Sequence, residues 1–255
     1  MANTVVYVYA ITDAATAGPP QDPAIPGVNG APVRRIISGG LAAVVSSVDA
    51  AQFSEEALRR SLEDLQWLEE TARAHHAVVA AVAPAGPVAP VRLATVYVDD
   101  ENVRALLQER AAAFRAALDR IRGRTEWGVK AFAVPSDDAG ESQQITDGAK
   151  PGTSYLMRRR AERDRTARGL QDAVDAAEAV HRQISAVAVA SRRHPPQDPR
   201  LSGNREEMVL NAAYLVDEAG ATALIRLVED RDVQGVRLEL TGPWAPYSFT
   251  TVEGP

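Results

Sequence analysis

Short apolar runs of strand type and amphipathic helical stretches alternate twice along this chain, and this interleaving restricts its fold more than any other feature. The first half has the order βββαβα and the second half the order βαβαβ, with a break near residues 123–126. Such interleaving favours an α+β class, and the second half resembles a split β-α-β, or ferredoxin-like, unit. We therefore predict two α+β domains, residues 1–123 and 124–241, followed by an extended tail at 242–255.

Turn and capping residues divide the first half into its elements. Strands are predicted at residues 4–11, 33–37, 41–48 and 88–98. Ser38-Gly39-Gly40 predicts a hairpin turn between the second and third strands. A long amphipathic helix is predicted from its N-cap Ser54 to Pro84, and a second helix begins at Asp99-Asp100.

The second half is predicted to contain three strands and two helices, with a polar stretch after the first strand. The strands are expected at 126–134, 206–216 and 236–240, and the helices at 155–190 and 219–228. Residues 135–153 are polar and contain glycine, which predicts a loop or a disordered segment. The basic cluster Arg158-Arg159-Arg160 is interpreted as the solvated face of a helix, although it could bind an anion.

Composition excludes several function classes. The chain has 255 residues, no cysteine and a net charge of −6. Without cysteine there is no thiol catalysis, thiolate zinc site or disulfide, which fits a reducing cytoplasm. An acidic chain repels polyphosphate, so neither nucleic acid nor a membrane is an expected partner. No run of about 18 apolar residues occurs, and the predicted location is cytoplasmic.

Residues of the types that carry chemistry do not form a catalytic or metal-binding pattern. His75 and His76 are adjacent on a predicted helix and point in different directions, and His181 lies on an apolar seam that suits a core histidine. The sequence contains no HExxH, GxSxG or phosphate-binding glycine loop. We therefore predict no catalytic residue, no metal site and no cofactor, and we expect that the protein is not an enzyme.

Aromatic residues are concentrated in the predicted tail. Trp244, Tyr247 and Phe249 lie within six residues, among only 13 aromatic residues in the chain. Pro243 and Pro246 restrict this segment and remove two backbone donors, so we expect it neither to form a helix nor to pair as an ordinary strand. An apolar tail needs a surface to cover it. The prediction is that the three aromatic side chains fasten the tail to a folded surface.

Several local strings occur in consistent order over nearly the whole chain, and together they resemble the gas vesicle F/L family. The strings are Val5–Tyr9, Leu68-Glu69, Ala74-His75, Pro90–Tyr97, Glu126–Lys130, Tyr155–Arg160, Asn211–Val216 and Gly242–Phe249. The sequence departs from the family at Leu93-Ala94, where Phe-Gly is usual, and at His76, where a Glu or another polar residue is expected.

The resemblance implies an accessory protein of the gas vesicle, a hollow organelle with a protein wall. It implies two α+β domains, the second a modified ferredoxin-like fold with an extended C-terminal tail. The implied partners are the small hydrophobic shell protein, for which residues 1–123 are the candidate binding domain, and other accessory proteins. The implied location is the gas vesicle as well as the cytoplasm. The resemblance carries no catalytic residues over to this chain.

Two other functions remain open at the level of the sequence. The first is a dimeric α+β regulatory protein that binds a small molecule, since ferredoxin-like domains often dimerise and bind ligands between subunits. The second is an enzyme, which nothing in the sequence motifs supports. Retention of the shell protein, or of a metabolite, would distinguish the accessory protein from the regulator.

Overall fold

The structure, a computed structural model, describes residues 3–16, 25–134, 151–197, 206–230 and 233–250. The chain divides into two units by its internal contacts. The first unit comprises Met1–Glu126 together with Pro243–Pro255, and the second unit comprises Trp127–Gly242. The break lies a few residues after the predicted one, and nearly all of the predicted tail belongs to the first unit.

A five-stranded antiparallel sheet forms the centre of the first unit. Its strands are β1 (Thr4–Asp13), β2 (Val33–Ser38), β3 (Leu41–Asp49), β4 (Val88–Pro90) and β5 (Val96–Tyr97). The order is β2-β3-β1-β4, and β5 also pairs with β1. The central strand β1 is buried continuously from Val6 to Thr12, as its unbroken run of Val and Tyr predicts.

Two local features fix the register of this sheet. Gly39 and Gly40 have φ angles of +58° and +79°, and Ser38 pairs with Leu41 across them. A two-residue turn with positive φ at both positions matches the twist of the strands, so the predicted hairpin is confirmed. Between β1 and β3 the register shifts from Val8 to Ala10, which makes Tyr9 the extra residue of a bulge.

Four of the five α-helices described in the first unit begin at a side chain that caps them, and the last does not. They are α1 (Ala50–Phe53), α2 (Glu55–Ser61), α3 (Leu65–Val82), α4 (Asp100–Glu109) and α5 (Ala111–Ile121). Ser54 and Asp99 cap α2 and α4, as predicted. The single helix predicted from Ser54 to Pro84 is wrong, because the Asp64 carboxylate accepts the N–H groups of Gln66 and Trp67 and starts a new helix.

The strand predicted at 88–98 is also divided, because the backbone leaves the extended region at Ala94. This residue has φ +61°, and its N–H donates to the Tyr7 hydroxyl at 3.1 Å. Positive φ brings a Cβ close to the carbonyl oxygen and costs about 1–2 kcal/mol for a residue other than glycine. Ala94 therefore carries strain at a position where the resembled family usually has glycine.

An Ala94→Gly variant is expected to be more stable than the parent chain, with a free energy of unfolding up to about 1 kcal/mol higher. Removing the Cβ relieves the strain, and the gain is reduced by the roughly 0.5–1 kcal/mol that glycine's unfolded-state freedom costs. Urea unfolding measures the difference. Ala94→Val should change stability in the opposite direction, because a β-branched residue tolerates positive φ less than alanine does; equal stability of the two variants would contradict the assignment of strain.

The described part of the second unit has a four-stranded sheet and two helices. Its elements are β6 (Thr125–Ala133), α6 (Pro151–Val187), β7 (Ala190–Arg193), β8 (Glu207–Val216), α7 (Glu218–Glu229) and β9 (Val236–Trp244), and the strand order is β7-β8-β6-β9. Ala173, Ala177 and Ile184 of α6 pack in a core with Tyr214 and Leu224. The α+β class is confirmed, and the ferredoxin-like assignment stays a prediction.

One helix start and one strand of the second unit differ from the prediction. Helix α6 begins at Pro151, before the predicted start at 155, and residues 135–150 of the predicted loop lie outside the described residues. Strand β7 was not predicted because its Ser-Arg-Arg sequence is exposed and has no apolar alternation. Across the described ranges, no helix combines the length and the apolar character that crossing a bilayer requires.

Candidate functional site

A carboxylate of the first unit holds the segment that follows β9. Glu126 is 8% exposed, and it accepts hydrogen bonds from the Ser248 N–H and the Ser248 hydroxyl, both at 2.7 Å. The buried Thr250 hydroxyl donates to the carbonyl oxygens of Pro90 and Pro246 at 3.2 and 3.1 Å. We call residues 244–250 the tail segment. The tail segment is therefore hydrogen-bonded to Glu126 at the start of β6 and to Pro90 of β4.

The structure places the three predicted tail residues in different surroundings. Phe249 is buried, and Tyr247 packs against the core of the first unit. Trp244 is 42% exposed, and its ring meets the ring of His76 edge-on at 5.2 Å. Trp244 is thus the most exposed of the three side chains, and strand β9 continues to this residue.

The tail segment is also not extended throughout. Strand β9 includes Gly242, Pro243 and Trp244, and Tyr247–Phe249 form a 3-10 turn. Pro243 is tolerated because β9 is an edge strand of its sheet, where a missing N–H costs no ladder bond. The role of the tail in fastening the chain stays a prediction.

A cluster of aromatic rings and one imidazole lies beneath Tyr247. Tyr7 packs against Tyr9 at 4.9 Å, Phe53 at 5.6 Å and His75 at 5.8 Å between ring centroids, and His75 lies 6.2 Å from Tyr247. His75 lies on the same buried side of helix α3 as Val78, Val79 and Val82. Because residues three and four apart share one side of a helix, burial of these valines also places His75 in the cluster. The tail segment thus covers a cluster built from β1 and α3.

Hydrogen bonding favours one tautomer of His75. The Tyr7 hydroxyl accepts the Ala94 N–H at 3.1 Å and lies 3.0 Å from His75 Nδ1. Burial raises the pKa of Tyr7 above its usual range, so the hydroxyl keeps its proton and can donate it to Nδ1. The imidazole proton then resides on Nε2. Within the described residues, both His75 Nε2 and the Tyr247 hydroxyl are buried without a hydrogen-bond partner.

Stability is expected to fall as the pH is lowered from about 6.5 to about 4, because His75 cannot take up a proton in the folded state. Burial, with a smaller effect from His76, lowers the pKa of His75 from 6.5 to about 4. Within this window the unfolded chain binds the proton and the folded chain does not. The free energy of unfolding therefore falls by up to about 3 kcal/mol at the acid end. Chemical denaturation at several pH values should show a flatter dependence for His75→Gln than for the parent chain; identical slopes would exclude His75 as the cause.

A partly exposed apolar strip runs along one edge of α3. Leu65, Leu68, Ala72 and His76 follow at spacings of three and four residues, which places them on one side of the helix. Leu65 is 75% exposed, Ala72 is exposed, and Leu68 and His76 are half-buried. The ring of Trp244 extends the strip at His76. We call these five residues the α3 strip, which is roughly 16 Å long at 1.5 Å per residue.

His181 has the surroundings of a structural histidine. His181 is half-buried, and its Nδ1 lies 2.7 Å from the Tyr214 hydroxyl, as suits the core histidine that the sequence predicts. The part of the chain that the structure describes contains no group of three or more His, Asp and Glu side chains placed to hold a metal ion. The notable features of the described side chains are therefore the aromatic cluster, which the tail segment covers, and the partly exposed α3 strip beside it.

Comparisons with known proteins give a consistent family. Residues 5–251 match the family model described as gas vesicle synthesis protein GvpL/GvpF. Gas vesicle protein L of Streptomyces sp. (strain CB03234) is 43% identical over 252 residues, which cover 96% of this chain and 92% of that protein. Gas vesicle protein L1 of Halobacterium salinarum is 25% identical over 260 residues, covering 95% and 89%. The crystal structure of the gas vesicle protein GvpF from Anabaena sp. PCC7120 has the same fold, with a TM-score of 0.67, 20% identity and 98% coverage of both chains.

Proposed function

This chain belongs to the gas vesicle synthesis protein GvpL/GvpF family, a family of gas vesicle formation, and we propose that it acts there by binding the hydrophobic shell protein along the α3 strip. The family is one of structural and accessory proteins, and the proposed role is likewise non-catalytic. The proposal includes other accessory proteins as partners, and it locates the chain in the cytoplasm and at the growing vesicle.

The observation that carries this proposal is the exposure of the α3 strip. Leu65 is 75% exposed and Trp244 is 42% exposed, and they lie at the two ends of the α3 strip. Large exposed apolar side chains that lie in a row are typical of surfaces that bind another protein. An amphipathic partner helix could bury them at three- and four-residue spacing.

The chemistry of the proposed partner explains why an apolar binding surface would be needed. An apolar shell subunit that builds sheets edge to edge would aggregate as a free copy. A folded protein that covers its apolar residues can keep the subunit separate until it joins the wall. The proposed binding is therefore one of protection and delivery.

Leu65→Glu and Ala72→Glu are each expected to reduce capture of the shell protein at least about fivefold, because a charge placed in an apolar contact must be desolvated. Affinity capture after co-expression with the shell protein and the other accessory proteins measures this loss. The matched control is Ala77→Glu, which introduces the same charge at an exposed alanine on another side of α3.

The control separates specific contact from general charge effects. Ala77→Glu should retain capture close to that of the parent chain, and all three variants should keep its melting temperature because the positions are exposed. If the folded parent chain never retains the shell protein, alone or with accessory proteins, shell binding is excluded. If Ala77→Glu loses capture as strongly as Ala72→Glu, the α3 strip is not the binding surface.

A further inference from the structure

Helix α6 extends far beyond the sheet on which it packs. It runs from Pro151 to Val187, and among its residues whose exposure is described Leu170 is the first that is not exposed. Every residue from 155 to 169 whose exposure is described is exposed. We call residues 155–169 the basic arm. At 1.5 Å per residue it is about 22 Å long, and no part of the described fold covers it.

Charge distinguishes the basic arm from the rest of the chain. Five arginines and two carboxylates lie between residues 159 and 169, in a chain whose net charge is −6. Ion pairs that the structure describes in the second unit are made by Arg193 and Arg237, and none within that described part involves Arg159, Arg160 or Arg163. Arg159 instead lies over the Tyr155 ring at 6.0 Å. The arm therefore presents positive charge that the described fold leaves unneutralised.

The arginines also form a directional pattern. Arg159 and Arg163 are four residues apart and share the side of α6 that continues into the half-buried Leu170 and the buried Ala177. Like charges at this spacing destabilise a helix, and a free helix of about 15 residues is marginal in water. Carboxylates on a partner would reverse the sign of that interaction and accept bidentate hydrogen bonds from the guanidinium groups.

We propose that the basic arm is a docking site for an acidic amphipathic helix of a partner protein. A membrane surface is disfavoured because the exposed Tyr155 and Met157 are two residues apart and lie on opposite sides of the helix. A polyphosphate is disfavoured by the net charge of the chain. A second copy of the arm would place arginine against arginine. This site is separate from the α3 strip and binds a partner of different chemistry.

The test is a titration of the full-length protein, followed by fluorescence polarisation, with a labelled helical peptide that has glutamates along one side and alanines along the other. Arg159→Glu/Arg163→Glu is expected to weaken binding at least about tenfold, since it replaces attraction with repulsion. The matched control is Arg165→Glu/Arg168→Glu, which has the same charge change on the opposite side of the same helix and should remain within about twofold of the parent. A peptide with lysines in place of the glutamates should bind the Arg159→Glu/Arg163→Glu variant.

Several results would overturn the proposal. The first is that the two double variants weaken peptide binding equally. The second is that a scrambled peptide of the same composition binds the parent chain as well as the helical peptide does. The third is that the folded parent chain does not bind the peptide at low salt. Arm-dependent sedimentation with phosphatidylglycerol vesicles would assign the arm to a membrane, and arm-dependent dimerisation in light scattering would assign it to a second copy. Capture of the shell protein by the α3 strip tests a different surface, so either idea can fail alone.

Discussion

A Tyr247→Ala variant is expected to lose about 3 kcal/mol of unfolding free energy, the lower end of the range for removing an aromatic side chain from a core. Tyr247 packs with the core of the first unit, and its ring lies 6.2 Å from that of His75. Truncation leaves a cavity above the aromatic cluster and admits water to His75. Urea unfolding, followed by tryptophan fluorescence and far-UV circular dichroism, measures the loss.

Tyr247→Phe is the matched control, and it is expected to be as stable as the parent chain or slightly more stable. The hydroxyl that it removes is buried without a partner in the described structure, so its loss abolishes a desolvation cost and no hydrogen bond. Trp244→Ala should cost less than Tyr247→Ala, about 1 kcal/mol, because Trp244 is already 42% exposed.

The competing view is that the tail segment is a mobile arm that binds a partner. Under that view Tyr247→Ala would unfold like the parent chain while its capture of the shell protein declined. That pair of results would refute the structural role of the tail.

A Glu126→Ala variant is expected to destabilise the first unit by about 3–4 kcal/mol, because it removes two hydrogen bonds to a carboxylate, each worth about 1.5–3 kcal/mol. The Ser248 N–H and hydroxyl both donate to this side chain at 2.7 Å. Without it, the tail segment loses its polar attachment at the start of β6.

Glu126→Gln should recover a large part of the loss, since its amide oxygen can still accept the Ser248 N–H and its amide nitrogen can donate to the hydroxyl. Hydrogen exchange at the amides of residues 246–250 provides a local measurement. Faster exchange there in Glu126→Ala, with unchanged exchange in β8, is expected; uniform acceleration in both units would contradict a local attachment.

Turns and helix starts could be predicted from the sequence because they depend on residues that are close together in the chain. Gly39-Gly40 specifies its turn because only glycine adopts positive φ at both positions without strain, and Ser54 and Asp99 supply the first hydrogen bonds of their helices. The class of the fold follows from the order of such elements. These features need no knowledge of distant residues.

Other features could not be predicted because their causes are distant in the chain. Glu126 is separated from Ser248 by 122 residues, and no local pattern links them. Ala94 bends its strand while donating to Tyr7, which lies 87 residues earlier. The exposure of Trp244 depends on β9 being an edge strand, and a single sequence does not reveal which strand is at the edge.

The division of the first unit between two stretches of chain has a consequence for protein synthesis. Residues 243–250 leave the ribosome only after all of Trp127–Gly242, although they complete the unit formed by residues 3–126. Domains usually complete folding in the order of translation, but here the second unit has all of its residues while the first still lacks Tyr247 and Ser248. A nascent chain halted before residue 243 would therefore leave the Tyr7 and His75 rings uncovered and be a substrate for chaperones and proteases, so translation of the tail segment determines when the first unit can mature.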